Sequence, residues 1–393
     1  MQEVYLDNAA STRTDPAIAE RLARDSLELW ANPSSIHRPG LAARQRLEQA
    51  RAAIAERVPG YRVVFTASGS EAINLAVRGG FACRARGTHR VLVSAVEHKA
   101  VLGAAAATTA EGAELTRLPV EPDGRLDLAE LERLLRAHGG EVALLAVMAV
   151  QNEIGTRMPL AEVGALVRRH APQALFVVDA VQALGKCPVD PAGWGAAAVA
   201  FSSHKVHGPK GVGCLLVREG VRLRPLVFGG GQEHGLRSGT EDVPGAAGFA
   251  AAFAAAWDGL ERHRAALEPL RERLREGLLA ACPEAIVHGP ADPEARSPAI
   301  LSLAFPGVPA EVLIHALEQD RVYVAAGSAC QSGKRRNHVH EALGLAEPVA
   351  AGTVRYSLSW TSTAAEVERA VACTAARLAE LRAAGVHQAV GRR

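Results

Sequence analysis

The chain has 393 residues, 48% of them hydrophobic and 4% aromatic, and interspersed acids and bases leave a formal net charge of +2. That length allows roughly two or three domains with packed cores, and the near-balanced charge gives no electrostatic reason to expect a nucleic-acid or membrane partner. The start "MQEVYLDNAASTR" has no basic segment followed by an apolar run, the alanine-rich stretches break well short of a membrane span, and the six cysteines form no C-x-x-C pair. A cytoplasmic protein without a leader, disulfide framework or zinc ribbon is the expectation.

Along the chain, β-type runs alternate with helical stretches. "RVVF" precedes "SGSEAINLAVRGG", "RVLVSAV" precedes "HKAVLGAAAA" and "VALLAVMAV" precedes "PLAEVGALVRRH"; "LFVVDA", "AAAVAFS" and "GCLLV" follow. This alternation predicts an α/β fold, a mostly parallel sheet covered by helices, whose strands are apolar almost throughout because both faces are buried. After "GGGQEHGLRSGTEDVPG" a long alanine-, leucine- and arginine-rich helical stretch runs from Ala246 to Ala281, then "AILSLAF" and "TVRYSLSW" alternate with helices. These predict a smaller α+β domain whose last helix opens at Thr363, with Glu366 three residues on completing a capping box. The expected division is a large domain over 15–257 and a small one made of 1–14 and 258–393.

In an open parallel sheet the ligand site lies beyond the carboxyl ends of the strands. The stretch "FSSHKVHGPKG" puts Lys205 at such an end, where desolvation would push its ammonium toward the nucleophilic amine that Schiff-base chemistry needs. The other strand ends supply Gly69 and Ser70 at a helix start suited to a phosphate, then His98, Asn152, Asp179, Gln182, Ser202 and His204. Taken singly these are ordinary residues: a turn cap, a buried histidine, an N-cap. Together, a lysine, an acid for a pyridine nitrogen, a ring to stack and hydroxyls at a helix start are the protein parts of a pyridoxal-phosphate site.

Other readings fit less well. Neither "TASGSEA" nor "GPKGVGC" matches a P-loop, and His338 and His340 flank a valine with no further ligand at fixed spacing, so no metal is expected. The basic cluster "GKRR" at 333–336 reads as a solvated loop. "AAGSAC" followed by "QSGKRRNH" predicts that Cys330 sits on an exposed loop near positive charge, conditions that favour thiolate. Cys83, Cys187, Cys214, Cys282 and Cys373 stand in apolar helical or strand-like surroundings, which predicts that they pack.

Over nearly its whole length the chain resembles the cysteine desulfurases of the NifS/IscS type, fold-type-I pyridoxal-phosphate enzymes of the class-V aminotransferase family. The motifs that carry the resemblance are "YLDNAAST", "ANPSSIH", "VEHKAV", "QNEIG", "VDAVQALGK", "FSSHKVHGPKGVG", "GGGQEHGLRSGT", "AAGSAC" and "VRYSLSW". The resemblance implies that Lys205 carries the cofactor's Schiff base and that His98 stacks on its ring and moves protons. It further implies that Asp179 pairs with the pyridine nitrogen and Gln182 reaches the ring oxygen. Ser70, Ser202 and His204 would hold the phosphate, joined across a homodimer interface by Thr240 of the partner subunit. Asn152 and Arg355 would bind the carboxylate of L-cysteine, and Cys330 would take the sulfur as a persulfide, leaving L-alanine. A sulfur-acceptor protein, such as an iron–sulfur scaffold or a tRNA-thiolation protein, would receive it.

The chain departs from the family at three points. Its phosphate loop reads Thr66-Ala67-Ser68-Gly69-Ser70-Glu71 rather than Thr-Ser-Gly-Gly/Ala-Thr-Glu. "RRNHVH" replaces a Pro-Ser-His after Cys330, and the chain after the last helix is short. A selenocysteine lyase or aminotransferase-like relative keeps the cofactor and changes the substrate; a transaminase needs no thiol such as Cys330. A non-catalytic scaffold of the same fold would have no use for Lys205, Asp179 and Cys330 together.

Overall fold

The computed structural model describes residues 3–327 and 337–385. Its strands are β1 (Val4–Tyr5), β2 (Tyr61–Thr66), β3 (Arg90–Ser94), β4 (Glu114–Leu118), β5 (Val142–Met148), β6 (Leu175–Asp179), β7 (Ala198–Ser202), β8 (Gly213–Arg218), β9 (Ile286–His288), β10 (Ile300–Ala304), β11 (Val322–Tyr323), β12 (Ala325–Ala326) and β13 (Thr353–Ser357). Seven of them form one sheet in the order β2-β8-β7-β6-β5-β3-β4. The neighbours from β4 to β7 are parallel, and β8 alone runs antiparallel, between β7 and β2. The carboxyl ends of β2 to β7 therefore share one edge, where β8 begins.

Every residue of β5 and β7 is buried. Their alternation feeds two cores rather than one core and solvent. Leu145 and Val147 join Phe176, Val178 and Phe201 on one face. Leu144 and Ala146 join Val91, Val177 and Leu215 on the other. Such strands have no polar face, so they read as unbroken apolar runs. On the first face the helix Val243–Asp258 packs across Pro16–Glu28 and Arg38–Ala55.

A second, four-stranded antiparallel sheet, β12-β13-β10-β9, carries its own core with the helices Leu260–Ala281, Ala310–Gln319 and Ala364–Ala383. Val4 and Leu6 belong to that core, and β1 pairs in parallel with β11. The chain therefore begins in the smaller unit and crosses at once to the larger sheet: Ala9 N–H donates to Ser357 Oγ at 2.9 Å and Thr12 N–H to the His204 carbonyl at 2.8 Å.

Thr363 caps the last helix and Glu366 returns to the Thr363 N–H at 2.7 Å, completing the capping box. The stretch expected as one helix over Ala246–Ala281 is two helices, Val243–Asp258 and Leu260–Ala281, meeting at Gly259. A side chain on Gly259 would run into the His263 ring and the Ala255 carbonyl, so the glycine permits a close turn there that composition alone does not reveal. Cys187, Cys214 and Cys282 are buried, but Cys83 is exposed, because its helix ends at Ala82. No described helix is long and apolar enough to cross a membrane.

Candidate active site

At the shared strand edge lies a cavity of about 860 Å³, lined by Gly69, Ser70, His98, Asn152, Asp179, Gln182, Ser202, His204, Lys205 and Arg355. Ten of the residues singled out in the sequence thus meet in one space. Thr240 does not; it is exposed and does not line the cavity. Cys330 lies outside the described residues, although Gly327, three residues before it, forms part of the wall.

Lys205 follows β7 in a single tight turn, Ser203–Lys205. Its Nζ donates to the carbonyls of Ala9 at 2.6 Å and Ala10 at 2.7 Å, both on the crossing segment. Behind it Lys186, 2% exposed, donates from Nζ to the Lys205 carbonyl at 3.2 Å. Burial, then the Lys186 and Arg355 charges, bring the Lys205 amine down to about 7 against the pull of Asp7 and Asp179. Lys186 itself is pushed down to about 8, chiefly by burial. A lysine desolvated beside a second cation is an amine poised for attack on a carbonyl near neutral pH.

His98 caps the helix Lys99–Thr108, its Nδ1 accepting from the Ala100 N–H at 3.1 Å. That bond assigns the proton of the neutral ring to Nε2. Burial lowers the His98 pKa, with Asp179 opposing and Lys205 adding to the fall. At the end of β6, Asp179 accepts the Val181 N–H at 3.0 Å; burial raises its pKa, opposed by His98. Gln182, one turn on, donates from Nε2 to the Ala9 carbonyl at 2.8 Å, while its buried Oε1 has no partner.

At the other end of the cavity the helix Gly69–Asn74 opens on Ser68, whose hydroxyl accepts the Glu71 N–H at 3.1 Å. Its first-turn N–H groups lack intrahelical partners. Two glycines allow the crowding. A Cβ on Gly69 would lie 3.1 Å from the Ser202 Cβ, and one on Gly213, at the start of β8, would lie 2.6 Å from the Ser68 carbonyl carbon and 2.8 Å from the Gly69 nitrogen. The loop between β2 and its helix therefore sits directly on β7 and β8. His204 Nδ1 lies 3.2 Å from Ser11 Oγ, and burial beside Lys205 and Lys210 drives its pKa down to about 4, so the ring is neutral near pH 7.

On the third side Arg355, on β13, is 7% exposed. Its Nη1 donates to the Asn152 carbonyl at 2.9 Å and its Nη2 to Asp7 Oδ1 at 2.6 Å, while Nε is buried without a partner. Sequence reasoning missed Asp7, Lys186 and Glu97, although all three stand inside motifs it quoted. Glu97 is fully buried and takes the Ser94 hydroxyl at 2.6 Å and the Met148 N–H at 2.7 Å. Burial pushes its carboxyl up to about 8.

The class-V aminotransferase family model matches residues 4–370. An IscS-like cysteine desulfurase of Mycobacterium tuberculosis is 39% identical, over 97% of this chain and 99% of that protein. This chain belongs to the class-V aminotransferases, among the cysteine desulfurases of the NifS/IscS type. The cysteine desulfurase NifS of Azotobacter vinelandii is 35% identical, over 97% of this chain and 94% of that protein. A solved NifS-like protein superposes with a TM-score of 0.89 at 33% identity, covering 97% of this chain and all of that one. SspA in complex with cysteine superposes with a TM-score of 0.77 at 27% identity, covering 92% of this chain and 100% of that one.

Class-V aminotransferases are pyridoxal-phosphate enzymes. The desulfurase cavity fits that group by its own features: a desolvated lysine, a helix start at Gly69 and Ser70 with unpaired first-turn N–H groups, and the orphaned Gln182 Oε1. Lys205 should therefore be trapped by pyridoxal phosphate and borohydride with a midpoint near pH 7, the yield falling below it as the amine takes up its proton. Lys186→Met removes a repelling charge, so the midpoint should move upward toward the ~10.4 of a free lysine. Peptide mapping of the adduct across pH checks both; an unmoved or lowered midpoint in Lys186→Met contradicts the electrostatic assignment.

Proposed function

We propose that this protein removes sulfur from L-cysteine, releasing L-alanine, with Cys330 as the group that takes the sulfur. The observation that carries this reading is a desolvated Lys205 facing His98, Asp179 and Arg355 across one cavity, whose wall includes Gly327, three positions before Cys330 in the sequence.

Lys205, Asp179 and Gln182 would hold the pyridoxal ring with His98 over it, and Ser70, Ser202 and His204 its phosphate. Bound there, the cofactor supplies an electron sink for the bonds around the substrate Cα. The work of the protein is positional and protic. With Nη1 and Nη2 each holding one bond, Arg355 keeps Nε and its remaining N–H groups for the substrate carboxylate, while Asp7 and the Asn152 carbonyl fix the guanidinium plane. Lys205, as free amine near neutral pH, accepts the proton from Cα, and His98, neutral with its proton on Nε2, can relay one. The Cys330 thiolate then attacks the substrate sulfur: an S–S bond forms, the Cβ–S bond breaks and its electron pair stays with carbon; one proton added at Cβ and one returned to Cα complete L-alanine.

The active unit in this reading is a homodimer. Trp30 and Ile36 are 74% and 89% exposed and Phe228 69%, and the segments that carry them adjoin one cleft lined by Pro33, Ser34, Gly230 and Gly231. An apolar surface of that kind marks an interface, and Thr240, away from its own cavity, would serve the other subunit. Unpaired cysteines at every described position suit the reducing cytoplasm, where a sulfur-acceptor protein of iron–sulfur assembly or tRNA thiolation would discharge Cys330. Sedimentation of the active enzyme as a single chain would remove the dimer from this reading.

Cys330→Ala separates the two halves of the chemistry. The variant should bind the cofactor and change its visible spectrum on adding L-cysteine, because those steps use Lys205, His98 and Arg355. Release of alanine should fall by about 10²-fold or more, since the attacking nucleophile is gone. Alanine release at the wild-type rate contradicts the proposed role and favours a lyase acting on selenocysteine, which is tested by offering both substrates.

A further inference from the structure

His207, two residues after Lys205, has a backbone φ of 63°, a left-handed conformation that a histidine keeps only where its surroundings impose it. Those surroundings are the crossing segment on one side and the smaller unit on the other. The His207 N–H donates to Thr12 Oγ1 at 2.8 Å, and its carbonyl accepts the Asp15 N–H at 2.9 Å. Its buried ring donates from Nδ1 to the Arg13 carbonyl at 2.8 Å, since a carbonyl can only accept. Nε2 of the neutral ring is then an acceptor, and the Ser359 hydroxyl donates to it at 2.6 Å. Burial lowers the His207 pKa against the bond to Arg13, in keeping with a neutral ring. The ring also packs on Trp360, with centroids 4.6 Å apart, and Trp360 stacks on His263 at 4.2 Å.

Thr12 completes the join. Its N–H and its hydroxyl both donate to the His204 carbonyl, at 2.8 and 2.9 Å, while the same hydroxyl oxygen accepts from His207. The residues that grip Thr12 therefore flank Lys205 in the chain. Ala9 and Ala10, whose carbonyls take the Lys205 Nζ, lie three and two residues before Thr12. A displacement of Thr12 is carried along so short a stretch to both carbonyls.

We propose that His207 and Thr12 staple the crossing segment to the Lys205 turn, which makes both of them positioning residues for the Lys205 amine. The inference rests on Lys205 as the lysine of the Schiff base. That amine owes its reactivity chiefly to burial, so a crossing segment that lifts away admits water and returns it toward an ordinary lysine.

The test uses the full chain, pyridoxal phosphate and borohydride, and reads the pH midpoint of Lys205 trapping. Thr12→Val keeps the branching of the side chain and removes both hydroxyl bonds, so the midpoint should rise by about one pH unit toward the ~10.4 of a free lysine. Thr12→Ser keeps the hydroxyl and should leave the midpoint in place. His207→Gly accepts the left-handed backbone without strain and removes only the ring. Its midpoint should rise as in Thr12→Val, and added imidazole, filling the space between Arg13 and Ser359, should bring it back toward the wild-type value. An unmoved midpoint in Thr12→Val, an equal rise in Thr12→Ser, or a rise in His207→Gly that imidazole leaves unchanged overturns the staple. Hydrogen exchange over residues 6–15 needs no cofactor: it should be several-fold faster in Thr12→Val and His207→Gly than in the wild type and Thr12→Ser, and equal exchange in all four overturns the staple. Wild-type Lys205 left unmodified by pyridoxal phosphate and borohydride defeats its assignment instead, and hydrogen exchange then decides the staple alone.

Discussion

The site depends on keeping one ammonium group dry. Lys205 stands where the carboxyl edge of the sheet meets the crossing segment Asp7–Thr12, between two backbone carbonyls and in front of a second buried lysine. Carbonyls accept from an amine whether or not it carries a positive charge, so they hold its position without neutralising it. Lys186 then supplies repulsion from the one side that solvent cannot screen. The arrangement gives up stability for reactivity, the usual character of a group tuned for chemistry.

That constraint is met by the segment that joins the smaller unit to the larger one. Val4 and Leu6 anchor its first residues in the core beneath β13, and the next few residues cross the gap and present Ala9 and Ala10 to Lys205 and Gln182. Arg355, on β13 itself, reaches the same gap and is fixed by Asp7 from the crossing segment and Asn152 from the turn after β5. The cavity is thus a junction whose walls belong to both units. Groups that bind a substrate carboxylate and groups that bind a cofactor share the Asp7–Ala10 stretch, so a displacement of either unit is felt by both.

Much of this was legible in the sequence because parallel strands buried on both faces are unbroken apolar runs, and polar residues right after such runs have one edge to occupy. Gly69, His98, Asp179 and Lys205 were found that way. Lys186 and Glu97 escaped the same logic, since each is a charged residue buried through contacts with backbone from distant segments, and nothing local distinguishes them from surface residues. Asp7 escaped because its partner, Arg355, lies 348 positions away. The break at Gly259 was hidden for a related reason: the alanine-rich pattern runs straight through it, and the turn is imposed by His263 and Ala255 packing against the glycine.

The most direct measurement is a single turnover of the cofactor-loaded enzyme with isotopically labelled L-cysteine, followed by mass analysis of its peptides and quantitation of alanine. The predicted result is one alanine per chain and one labelled sulfur atom on the peptide that contains Cys330, removable by a thiol reductant. Alanine formed with the labelled sulfur released to solution and Cys330 unmodified would contradict it.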